Sequence, residues 1–289
     1  MRSWFSAAAA LALFVASVAG GVFPSLAQEG ETPPAADVPP RMLTAPPTPV
    51  TGGGRVRLRL VKSLQVRDET VDDARWLKAN GLALPEFTVP NPNTGAEGNL
   101  PAGVPAQYEG GVLVRAVDCG GRVLLVYGPD YSSGRYVVAW NPKTKAIRYA
   151  LDFASQTAPK PGGGVAPLPV LYAWEDVDGT LYVSTGINGY ASEVQGRTGY
   201  ITALEPKTGK VRWRSQPLVA NARTFALVGD AVVCGYGFTA EKDNLVLLEK
   251  RTGRTATRIP LRSAPTYILR KGDRVFVRTY DTNYVFAIR

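Results

Sequence analysis

"ALEPKTGKVRW", residues 203–213, holds an apolar pair, a charged turn containing Gly209, and a strand-like restart that closes on Trp213. The same pattern recurs as "AWNPKTKAIRY" (139–149), as "LLEKRTGRTAT" (247–257), and as the terminal "AIR" (287–289). Asn141, Glu205, Glu249 and Arg289 are equivalent, at intervals of 64, 44 and 40 residues. A period near 40 residues marks a stacked array or a propeller, because one such unit cannot cover its own apolar faces.

A second block repeats in step with the first. "GGRVLLVYG" (120–128), "DGTLYVSTG" (178–186), "GDAVVCGYG" (229–237) and "GDRVFVRTY" (272–280) each set a tight turn before an apolar strand. Gly-Asp and Asp-Gly pairs suit hairpin turns, since glycine reaches positive φ without strain. Each unit reads as strand, turn, strand, loop, strand, PKTGK-type turn, strand. Four antiparallel strands per repeat make a propeller blade. Strands such as Tyr136 to Trp140 are apolar on both faces, as a sheet held between neighbours must be. The fold expected is all-β: a β-propeller of about four four-stranded blades over 111–289, or five if a degenerate blade hides in 82–110.

These residues carry a family resemblance. Ala203, Thr208, Gly209, Lys210 and Trp213, with Glu205 where aspartate is usual, resemble the repeat of the PQQ-like β-propellers, found in quinoprotein alcohol dehydrogenases and in an outer-membrane assembly lipoprotein of the same fold. The other copies drift, with Asn141, Lys145 and Tyr149 in the first and Thr257 in place of the tryptophan in the third. The resemblance implies the fold and does not by itself imply the quinone.

The front of the chain is organised differently. Arg2 followed by an apolar run from Trp4 to Val18 and by Ser25-Leu26-Ala27 reads as a signal peptide over 1–27. An uncleaved anchor is the alternative, opposed by Gly20, Gly21 and Pro24. Residues 28–54 are rich in Pro, Gly, Thr and Ala and are expected to form a disordered tether to a domain spanning 55–289. The last repeat ends at Arg289, where an outer strand should begin, so an edge would stand open. "RVRLRLVKSLQVR" (55–67) alternates as a half-buried strand does and is expected to latch beside Asn283 to Ile288; a strand in a separate sheet is the alternative. A helix is expected over 70–81, capped by Thr70, stopped by Gly81 and seated through Ala74 and Leu77 with help from Trp76.

Composition narrows the chemistry. Loss of residues 1–27 removes one basic residue, Arg2, and no acid, taking the net charge from +9 to +8. That balance favours anionic partners, but the basic residues are scattered, so nucleic acid is disfavoured and an envelope protein or anionic polysaccharide is preferred. Histidine is absent, which removes His-based general bases and the commonest metal ligand. Cys119 and Cys234 fall in blades that should not touch and are expected to be buried free thiols. "DVDGT" (176–180) resembles the start of a calcium loop but lacks its further ligands, and a hairpin turn explains it.

Aromatic side chains near blade loops form the candidate binding surface: Tyr127, Tyr131, Tyr190 and Tyr236, with Trp174 the best candidate for lining a central pocket. The long insertions 156–167 and 187–199 sit where binding loops commonly lie. The reading is a secreted, periplasmic or cell-envelope binding or scaffolding module with no cofactor, no metal and no stable membrane insertion. The rivals are a PQQ-dependent dehydrogenase and a half-ring that pairs into an eight-bladed assembly.

Overall fold

The computed structural model describes residues 38–45, 56–66 and 73–289. The expected signal peptide, most of the tether and Thr70 lie outside the described residues.

Four mainly antiparallel sheets follow one another along the chain; the first strand is an edge in the second, third and fourth, and in the first it also pairs with two short strands. Sheet I holds Gly111–Asp118, Val123–Gly128, Tyr136–Asn141 and Ala146–Asp152. Sheet II holds Val170–Glu175, Leu181–Thr185, Tyr200–Glu205 and Lys210–Arg214. Sheet III holds Ala226–Val228, Ala231–Tyr236, Asn244–Glu249 and Thr255–Pro260. Sheet IV takes Pro265–Lys271, Arg274–Thr279 and Thr282–Ile288 from the end of the chain and Leu58–Gln65 from its front. The strand Leu58–Gln65 runs antiparallel to Thr282–Ile288, with Leu58 opposite Ile288 and Gln65 opposite Thr282.

The repeated motif folds the same way each time. Gly209 and Gly253 sit at φ 73° and 71°, and Lys145 holds the corresponding place at φ 54°. Their N–H groups donate to Glu205 O, Glu249 O and Asn141 O, at 2.9, 2.8 and 2.8 Å. The acid and threonine of the motif close the turn, with Thr208 Oγ1 donating to Glu205 Oε2 at 3.0 Å and Thr252 Oγ1 to Glu249 Oε2 at 2.8 Å. Only the left-handed region satisfies this turn, which is why glycine recurs there and why Lys145 costs its sheet about 1 kcal/mol.

Packing joins the sheets face to face. One buried cluster runs from sheet I (Leu124, Val137, Leu151) through sheet II (Tyr172, Val183, Leu204) to sheet III (Val232, Val246). A second joins the other face of sheet III to sheet IV through Val233, Leu247, Ile268 and Phe286. The remaining face of sheet IV is covered by helix α1 (Asp73–Asn80) and the segment after it, where Trp76 meets Tyr267, Leu269 and Phe276. Gly81 at φ 58° ends the helix. Ala74 is exposed, whereas Leu77 packs partly buried beside Trp76, so the helix is seated by Trp76 and Leu77 and not through the expected Ala74, whose methyl has little surface to bury.

Among the described residues, no sheet lies against the outward face of sheet I. Phe87, Val89, Leu100, Val104 and Tyr108 cover it from an irregular segment with only two-residue strands, Glu86–Phe87 and Gln107–Tyr108, both paired to Gly111–Asp118. Residues 82–110 therefore do the covering work of a neighbouring sheet without forming a four-stranded one.

Part of the expected tether is folded. Arg41–Met42 pairs in parallel with Leu151 and Asp152 at the edge of sheet I. Thr44 N donates to Gly209 O at 3.2 Å, and Thr44 Oγ1 accepts from Val211 N at 2.8 Å. Val38 and Leu43 pack on the two cores that flank sheet I. Two spaced apolar residues and unmet backbone groups on neighbouring sheets are enough to dock 38–45, which composition alone hides.

Candidate functional site

Residues of the first strands of sheets II, III and IV come together with the turn that follows the first strand of sheet I. They enclose a cavity of about 500 Å³. Its wall takes Tyr172 and Trp174 from sheet II, Phe225 and Leu227 from sheet III, Ile268 to Lys271 from sheet IV, and Cys119 and Arg122 from the turn of sheet I. Gly81 to Pro85 close the gap between sheets IV and I.

The rim is charged, and its acids are already engaged. The Glu175 carboxylate is almost wholly buried, accepting from Arg122 Nη1 at 3.0 Å and from Tyr149 Oη at 2.7 Å, with Arg148 Nη1 at 3.6 Å. Asp176 pairs with Lys250 from the motif turn of sheet III. Arg270 donates to Gly272 O and Leu227 O at 3.2 and 3.3 Å, and Lys271 Nζ donates to Asn80 O and Gly81 O at 3.1 and 2.7 Å. These last two cations brace the wall through carbonyls, and among the described residues neither has an ion-pair partner, so the rim is left with positive charge. Burial pushes the Cys119 thiol up to about 12 and holds the Tyr172 phenol well above its ordinary value. Neither is ionised near neutral pH.

Of the aromatic residues picked out by sequence as a binding surface, the cavity gathers only Trp174. Tyr127 is fully buried in the core of sheet I, donating to Pro105 O at 2.7 Å. Tyr236 is buried and donates to the Glu241 carboxylate, whose other oxygen accepts from Ala191 N at 2.7 Å. Tyr190 is 40% exposed and stands edge-on to Phe238, with ring centroids 4.9 Å apart. Tyr131 is half-buried in the loop after Gly128. These four lie toward the loops between second and third strands, the end of the sheets away from the cavity. The residues missed were Arg122, Tyr172, Glu175, Arg270 and Lys271. Their signal was position: they lie at or beside the ends of the sheets' first strands and the Gly-Asp-type turns that follow.

"DVDGT" is a hairpin turn, with Gly179 N donating to Asp176 O at 3.0 Å and Thr180 N to Asp178 Oδ1 at 2.8 Å. Among the described residues no group of three or more Cys, Asp and Glu is placed to hold a metal. Cys119 and Cys234 are both buried and free, in sheets I and III. The donors around the cavity do not suit a quinone with its calcium: the oxygens of Glu175 and Asp176 are spent on Arg122, Tyr149 and Lys250. No helix among the described residues is long and apolar enough to cross a membrane.

Several solved structures are similar to this chain over part of its length. The computationally designed Ika4 protein aligns at 13% identity and a TM-score of 0.40, over 63% of this chain and 95% of its own. BamB from Moraxella catarrhalis aligns at 11% and 0.29, over 63% and 68%. YCF48 bound to D1 peptide aligns at 16% and 0.36, over 63% of this chain and about half, 53%, of its own. No curated protein matches the chain. Residues 197–288 match the model of the family described as outer membrane protein assembly factor BamB, and over that stretch the chain carries the PQQ-like repeat.

Proposed function

We propose that this chain is a non-catalytic β-propeller module of the cell envelope that binds another envelope protein at the cavity lined by the first strands of sheets II, III and IV. The observation that carries the reading is the state of the cavity's ionisable groups. Glu175 and Asp176 are consumed by internal pairs, and Cys119 is held as a neutral thiol, so the wall offers Trp174, Phe225 and Leu227 for contact and Arg270 and Lys271 for charge. Such a surface recognises; it has no poised acid–base pair with which to react. The family match to an outer membrane protein assembly factor supports a partner that is itself a protein.

Trp174 fluorescence provides the test. Peptides from envelope proteins should shift its emission; Trp174→Phe should remove that signal, which identifies its source, and Arg270→Ala, which keeps the reporter, should weaken the binding. A response to acidic polysaccharide alone would replace the protein partner with a glycan. Dye-linked alcohol oxidation with added PQQ and calcium would overturn the non-catalytic reading.

A further inference from the structure

A second surface, three strands across sheet IV from its cavity-lining strand, shows backbone groups with no partner among the described residues. The strand Leu58–Gln65 is the outermost strand of sheet IV among the described residues. Arg57 and Arg289 exchange both backbone hydrogen bonds, at 3.0 and 2.9 Å, which fixes the parity of the strand. Leu58 and Leu60 therefore turn their N–H and C=O groups away from the sheet. Beyond the bulge at Val61 the parity is set again by Val66 N, which donates to Asp281 O at 2.7 Å, so Ser63 and Gln65 face outward. Leu60, Val61 and Leu64 are 49%, 44% and 55% exposed along this edge. Exposed Arg57, Arg59 and Lys62 complete it, and among the described residues none of them has a carboxylate partner.

We propose that this edge docks an extended segment of another protein whose side chains alternate between apolar and acidic, added to sheet IV as a further strand. Main-chain bonds to Leu58, Leu60, Ser63 and Gln65 supply the attachment, Leu60 and Leu64 the apolar contact, and the three cations the choice of partner. The cations also decide against a second copy of this chain, because antiparallel self-pairing would set Arg57, Arg59 and Lys62 against one another. The proposal rests on the binding-module reading but names a different face and the chemistry of its occupant.

The test uses the full chain and an eight-residue peptide alternating valine and glutamate, the length of the strand itself, with a valine–lysine peptide as control. The acidic peptide should slow amide exchange at Leu58, Leu60, Ser63 and Gln65, weaken about tenfold when Arg59→Glu and Lys62→Glu are combined, and leave Trp174 emission unchanged. Leu60→Pro, which removes an outward N–H and no bond within the sheet, should also weaken it. Equal binding of the basic peptide, indifference to the charge reversal, protection confined to cavity residues, or no binding at about millimolar peptide would each overturn the proposal. A doubled solution mass abolished by Leu60→Pro would overturn it in favour of self-pairing. None of these outcomes touches the cavity reading, which Trp174 reports separately.

Discussion

Trp213 of sheet II donates from Nε1 to Lys250 O of sheet III at 2.8 Å, and its ring lies over Gly253, where a Cβ would meet the indole at 2.2 Å. The tryptophan of one repeat is thus fitted to the turn glycine of the next. Tyr149 also joins sheets I and II, but through the Glu175 carboxylate, while the equivalent turn glycine, Gly209, is approached instead by Met42 O and Leu151. Gly253→Ala should cost about 2–4 kcal/mol, since left-handed strain adds to a clash with an immobile ring. Gly272→Ala, at φ 58° with open space around it, should cost only about 1 kcal/mol. Urea midpoints of the two variants measure the difference, and equal midpoints would show that Trp213 moves aside freely.

Removing Glu175 strands its partners. Glu175→Ala leaves the Tyr149 hydroxyl and the Arg122 guanidinium without their buried acceptor, and a loss of about 3 kcal/mol is expected. Adding Arg122→Met and Tyr149→Phe should recover part of that loss. A double-mutant cycle with no coupling would refute the shared network.

Trp76 is 4% exposed and stacks on Tyr267 with centroids 6.3 Å apart. Trp76→Ala should destabilise by about 3–5 kcal/mol and raise amide exchange in Pro265–Lys271, the strand it covers. Exchange that rises only within the helix would mean that the helix rides on the sheet without supporting it.

The acid limb of stability depends on Asp152. Burial pushes its carboxyl up, but Arg135 Nε and Nη2 at 2.9 and 2.8 Å and Ala154 N–H at 2.8 Å outweigh this and hold it below the usual carboxylate range. A folded-state value below the unfolded one means a contribution present above the unfolded value and lost as pH falls through the folded one. Asp152→Asn should therefore lower the melting temperature at neutral pH, with the gap narrowing below the unfolded aspartate value of about 3.9. A gap constant with pH would locate the effect in the hydrogen bonds alone.

Both thiols should resist modification. Burial raises Cys119 to about 12 and Cys234 further still. A thiol reagent at pH 8 should label neither in the native protein and both in denaturant. Rapid native labelling of Cys119 would show that the cavity opens wide enough to admit the reagent.

The repeat was legible because its turn demands one backbone conformation at one spacing: Gly209 and Gly253 announce it, and Lys145 keeps the geometry where the letter has changed. The fastening strand was legible for a related reason, since an open edge after Ile288 calls for a partner and 55–67 alternates suitably. The cavity was not legible, because Arg122, Glu175, Arg270 and Lys271 look like ordinary charged turn residues until the sheets draw them together. The tyrosines misled in the opposite direction. Rings near loops suggested stacking platforms, but Tyr127 and Tyr236 are needed as core volume with one satisfied hydroxyl each. Residues 38–45 were hidden by their prolines, which mask two modest apolar contacts and a threonine placed to serve a neighbouring turn.

Sheet IV is completed by chain made more than two hundred positions before its other three strands. During synthesis, Leu58–Gln65 must wait for Thr282–Ile288, so a chain that lacks the later strand forfeits the seam between the two. The edge strand of sheet IV therefore stays without its partner for almost the whole of translation and is joined only once Thr282–Ile288 has been made.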